Sequence, residues 1–160
     1  MQPIEIVNSI GKDKVEAIVD DFNSGQFKRV LNSAAIPTRI PTRILSLKKR
    51  AAIWKGRLMD AVKDNNFNVA NSLIYEWLIN RKRPMLAAYL DKINVKHRNG
   101  ETDESFLKTV PEPVLREKAR ELEGDFNPQD VAIYVHFLDF HQQAEVFSAD
   151  EHFVTSLKNG

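Results

Sequence analysis

Five side chains in this chain could do chemistry: His97 and Glu101 near its middle, and His136, Asp139 and His141 in the run VAIYVHFLDFH. Imidazoles and carboxylates are the ligands that zinc, manganese or iron use. His136 and Asp139 stand three apart and share a face of a helix. His136 and His141 stand five apart, which sets them about 140° apart around a regular helix. They could not grip one ion without distorting it. The candidate metal set is therefore His97, Glu101, His136 and Asp139, and the matching chemistry is metal-assisted hydrolysis. The plainer reading makes His136 a hydrogen-bonded core residue, pairs Asp139 with an arginine and leaves His141 near the surface, because buried polar groups ordinarily find partners. On that reading no residue is assigned as catalytic and no cofactor is expected. Glycine-rich phosphate loops, H-E-x-x-H, G-x-S-x-G and calcium-loop patterns do not occur. With no cysteine, thiolate metal sites, disulfides and cysteine nucleophiles are excluded.

A second group of residues is defined by charge. The net charge of +1 hides a strong segregation. Residues 39–98 hold fourteen Lys/Arg against four Asp/Glu, and residues 99–160 hold five against thirteen. Arg39, Arg43, Lys48, Lys49, Arg50, Lys55, Arg57, Arg81, Lys82 and Arg83 form a candidate face for an acidic partner or for nucleic-acid phosphates. The competing reading is that the two halves pack with complementary faces or expose solvated helix surfaces. A sequence pI near 8 is low for a dedicated nucleic-acid binder.

The elements that position these residues read as helices. Asn127 as N-cap and Pro128 at the first helical position start a helix over residues 127–147. It is apolar on nearly every face and so belongs inside a bundle. Residues 12–23 and 26–34 carry apolar residues at helical spacing. Ile36-Pro37-Thr38-Arg39 is repeated at once as Ile40-Pro41-Thr42-Arg43. Prolines at this spacing predict an extended linker over 36–42, with Thr42 as a cap for the next helix. That long amphipathic helix, over 43–63, is expected to bury Ile44, Leu47, Ala51, Trp54, Leu58 and Ala61. A second helix over 67–80 completes a hairpin, and Pro84 starts a third, to about residue 93. Asn99-Gly100 marks a turn. Short helices over 104–109, 114–123 and 149–157 complete the set, and residues 1–11 form either a short helix or a flexible arm.

The segments Leu86-Ala87-Ala88-Tyr89-Leu90-Asp91, Val95-Lys96-His97-Arg98-Asn99-Gly100-Glu101 and Val131-Ala132-Ile133-Tyr134-Val135-His136-Phe137 together resemble a pattern of uncharacterised bacterial helical proteins. The resemblance covers roughly the C-terminal half. It implies a bacterial, cytoplasmic protein, draws attention to His97 and Glu101, and brings no activity with it.

A chain of 160 residues can bury a substantial core in one domain. No apolar run approaches the roughly 20 residues needed to cross a bilayer. The opening MQPIEIVNSIGKDK has neither the basic start nor the long apolar segment of a secretory signal. The expectation is an all-α, single-domain bundle of about seven or eight helices around a buried helix near 127–147, located in the cytoplasm. The functional expectation is a protein-interaction or self-association module that binds a protein partner or forms a homo-oligomer. Nucleic-acid binding through the basic face is the alternative, a metal-dependent hydrolase the third reading, and no membrane is involved.

Overall fold

The computed structural model describes residues 1–41, 43 and 46–160, and among them the regular secondary structure is all helix, with no strand. Nine helices run in order through these residues: α1 (Pro3–Ile10), α2 (Lys12–Asp20), α3 (Ser24–Ser33), α4 (Leu47–Lys63), α5 (Phe67–Arg81), α6 (Arg83–Lys92), α7 (Glu112–Leu122), α8 (Pro128–His141) and α9 (Glu151–Lys158). The number slightly exceeds the expected seven or eight because the lead-in is a helix, not an arm. Pro3 opens it, the Glu5 carboxylate accepts the Gln2 amide, and Ile6 and Val7 are buried. No helix among the described residues is long and apolar enough to cross a membrane.

Helix α8 lies in the core, as its sequence requires. The Asn127 side chain accepts from the amides of Gln129 and Asp130, and every residue from Val131 to Phe137 is buried. It packs against α1, α7 and α9, while α5 packs against α1, α3, α4 and α6. Helix α1 is thus the element shared by both groups. The hairpin of α4 and α5 turns at Asp64-Asn65-Asn66, where Asn65 takes a positive φ of 58° and the Asn66 amide reaches back to the Ala61 carbonyl. The Asn66 side chain then caps α5 by accepting from Val69.

Three sequence expectations need correction. Helix α8 ends at His141, not near 147. Gln143 turns left-handed with φ of 52°, the Ala144 amide returns to the Asp139 carbonyl, and the chain reverses. Residues 104–109 are irregular up to 106 and turn at 107–109 instead of forming a helix, because Gln142, just past the end of α8, draws the amides of Phe106 and Leu107 onto its side-chain oxygen. Helix α4 begins at Leu47 with Ser46 at its N-cap, and Leu47 is 72% exposed instead of buried in the seam. The expected cap Thr42 and the seam residue Ile44 lie outside the described residues.

The first copy of the repeated tetrapeptide is anchored. Trp54 donates its indole N–H to the Thr38 carbonyl, and Arg57 donates to the carbonyls of Pro37 and Arg39. Residues 36–41 are otherwise irregular, in keeping with the linker that the prolines predict.

Candidate interaction cleft

Three of the four candidate metal ligands are engaged elsewhere, and the fourth, His136, stands alone. His97 places Nε2 2.7 Å from an Asp91 carboxylate oxygen and accepts the Gly100 amide on Nδ1 at 3.0 Å. Glu101 pairs with Arg83 at 3.0 Å and accepts weakly from the Tyr75 hydroxyl at 3.4 Å. Asp139 is fully buried and accepts the amides of Val146, Phe147 and Ser148 at 2.8–3.0 Å, not an arginine. His136 is also fully buried, and neither of its ring nitrogens has a hydrogen-bond partner. The Phe153 backbone acts on the ring from outside hydrogen-bonding geometry. The hydrogen-bonded core histidine expected from the sequence is therefore an unpartnered one. His141 is at the surface as expected, its Nε2 2.9 Å from the Asn71 side-chain oxygen. No group of three or more His, Asp or Glu among the described residues is placed to hold a metal ion.

His136 makes stability depend on pH. Burial holds its imidazole below the ordinary value of 6.5, outweighing the pull of Asp139 and the Phe153 backbone toward the protonated form. A histidine depressed in the folded state binds its proton more readily when unfolded, so stability falls as pH drops below the unfolded value. Burial raises the Asp139 carboxyl despite its three amide donors, so its contribution runs the other way and is lost as pH rises through the folded value. Burial also depresses His141. Changing His136→Leu should therefore remove part of the acid loss, up to about 1.4 kcal/mol per pH unit below about 6.5. Urea unfolding of both proteins between about pH 7 and about pH 5 checks this; parallel curves would mean that His136 does not titrate with folding.

The basic face is divided by the fold. Lys55 pairs with Asp20 and Glu16, and Arg57 holds the linker carbonyls. Arg81 donates to the Asp21 carbonyl, Lys82 pairs with Asp130, and Arg83 pairs with Glu101. Arg50 also has a partner. Among the described residues, the side chains of Arg39, Arg43, Lys48 and Lys49 are exposed and carry no ion pair or hydrogen bond. Lys48 and Lys49 directly follow the exposed Leu47.

The concave feature of most consequence lies where α5, α6 and α8 meet residues 100–106. It is a cleft of about 430 Å³. Leu78, Leu86, Leu90, Phe106, Tyr134 and Phe137 line it and are themselves largely buried. Glu101, Asp103 and Glu104 also line it and are exposed. None of its lining residues is Lys or Arg. Tyr75, 47% exposed, stands at its edge, where burial and the neighbouring Glu101 carboxylate both raise its phenol. An aromatic cluster adjoins it: Phe140 contacts Phe67 at 5.7 Å and His141 at 5.2 Å, and Phe67 is 40% exposed. Asp103 and Glu104 have no side-chain partner among the described residues.

The 98–101 turn builds the cleft's wall. Arg98 and Glu101 exchange backbone hydrogen bonds across Asn99 and Gly100, whose φ values of 49° and 89° are both left-handed. The Asn-Gly pair marked this turn in the sequence. A Cβ on Gly100 would stand 2.8 Å from Leu86 Cβ and 3.2 Å from both the Ala87 nitrogen and the Arg83 oxygen. Gly100→Ala should therefore cost roughly 2 kcal/mol from left-handed strain and crowding against α6. It should also change the Tyr75 environment, as near-ultraviolet circular dichroism would report.

Sequence reading missed the cleft. Tyr75, Phe106 and His141 meet only through folding, and so do Asp103 and Glu104 with the apolar floor. The one available signal was Tyr75 recurring eight residues after Phe67 on the same helix.

No family model, no curated protein and no solved structure matches the chain. The surface chemistry is therefore the ground for a functional reading.

Proposed function

We propose that the protein is a helical interaction module whose cleft between α5, α6 and α8 receives a basic, amphipathic segment of a protein partner. The observation that carries this is the pairing of an apolar floor with an acidic rim on which Arg83 holds Glu101 while Asp103 and Glu104 have no side-chain partner among the described residues. Apolar grooves commonly receive the apolar face of a helix, and charges at the rim select the partner and its orientation. A volume of about 430 Å³ accommodates one or two anchoring side chains. Nucleic-acid binding is the weaker reading, since it rests on Arg39, Arg43, Lys48 and Lys49 alone once the other cations are engaged.

A labelled synthetic helix with leucine on one face and lysine on the other tests the proposal by fluorescence anisotropy. It should bind, and a glutamate version of equal apolarity should not. Tyr75→Ala and the pair Asp103→Lys/Glu104→Lys should each weaken binding by roughly tenfold or more, about 1.4 kcal/mol. Binding that is indifferent to these cleft changes would reject the reading.

A further inference from the structure

We infer that the cleft's occupant is the head of α4 from a second copy of this chain, with Leu47 seated on the apolar floor and Lys48 and Lys49 meeting Asp103 and Glu104. This rests on the reading of the cleft given above and adds the partner.

Two surfaces of the molecule are unmatched within it, and they match each other. At the head of α4, Leu47 is 72% exposed in the first turn, followed at once by two exposed lysines. That turn contains no acidic residue, and Ser46 makes no side-chain cap bond. Cations therefore crowd the positive end of the helix dipole, an arrangement that carboxylates from outside would relieve. At the cleft, two carboxylates lack partners among the described residues and stand over an apolar floor. Each surface thus has an apolar centre beside charge, and the charges are opposite. This is the arrangement of a specific protein interface. The exposure of Leu47 shows that the head does not fill a cleft in its own chain.

The two surfaces differ, so the contact is heterologous. Every copy offers one head and one cleft, and assembly either closes on itself or extends.

Sedimentation of the intact protein tests this. The average mass should rise with protein concentration, and roughly 1 M salt, where the screening length is about 3 Å, should lower it again. A wild type that stays monomeric overturns the inference. Two double variants make the test specific: Lys48→Glu/Lys49→Glu, and Asp103→Lys/Glu104→Lys. All four positions are exposed, so both variants should melt near the wild type. Each should be monomeric alone, because its head and cleft then carry the same sign. Mixed, they should associate, since the basic head of one meets the acidic cleft of the other and the acidic head meets the basic cleft. A mixture that stays monomeric overturns the inference, as does wild-type association that either variant leaves unchanged. A monomeric wild type whose cleft still binds the lysine helix would overturn only the choice of occupant. A monomeric wild type that also fails to bind the helix would remove both readings.

Discussion

Asp139→Ala should destabilise the protein by about 3–5 kcal/mol, because it strips two buried amides and one part-buried amide of their acceptor at once. The carboxylate takes Val146 on one oxygen and Phe147 and Ser148 on the other. Hydrogen bonds to a charged group contribute roughly 1.5–3 kcal/mol each, and donors left dry cost more than the lost bond alone. Asp139→Asn should fall between wild type and alanine, since its amide offers one acceptor oxygen where the carboxylate offers two. The damage should be local first. Phe147 rests on Phe153 of α9 at 5.2 Å between ring centres. Amides of α9 should therefore exchange faster in the asparagine variant before the rest of the protein loosens. Urea midpoints and native-state hydrogen exchange measure both parts. An alanine variant within about 1 kcal/mol of wild type would show that water replaces the carboxylate.

The second large effect is a non-additive one. Asp130 is 5% exposed and pairs with Lys14 of α2 and with Lys82, which sits between α5 and α6, each at 2.7 Å. Both ammonium groups also stand over the Trp77 ring, at 5.6 and 5.2 Å from its centre. Lys14→Met or Lys82→Met alone should cost about 1 kcal/mol, because the remaining lysine still neutralises the buried carboxylate. The double variant should cost about 3–5 kcal/mol, more than the sum, because it leaves a buried charge uncompensated. Restoring neutrality with Asp130→Asn in the double-methionine background should recover much of that loss. A double-mutant cycle that sums within about 0.5 kcal/mol would show that the lysines act independently.

The fold was legible where local signals govern it. Asn127-Pro128 placed the start of α8, and an unbroken apolar run placed that helix in the core. Asn99-Gly100 marked its turn, since asparagine and glycine tolerate the left-handed backbone used there. The end of α8 was not legible, because it depends on Asp139 folding the next stretch back onto itself. Leu47 sits at helical spacing with Ala51 and Trp54, yet the helix begins there and its first turn overhangs the core. Which carboxylates the basic residues meet was not legible either. Lys55, Lys82 and Arg83 find carboxylates at Asp20, Asp130 and Glu101, and separations of 18–48 residues leave no trace in a linear pattern. His136 is the opposite case: its burial was legible and its lack of a partner was not.

Helix α1, the element common to both packing groups, has a consequence for synthesis. It docks on α5, α8 and α9, all of which emerge from the ribosome after it. Its buried face, Ile6, Val7 and Ile10, has no complete surface to cover it until residues up to about 157 have been made. A nascent chain that already contains α1 to α5 therefore still exposes apolar surface that only its last quarter can close. Translation at roughly 5–20 residues per second leaves that surface open for seconds, the interval in which a holding chaperone has most to offer.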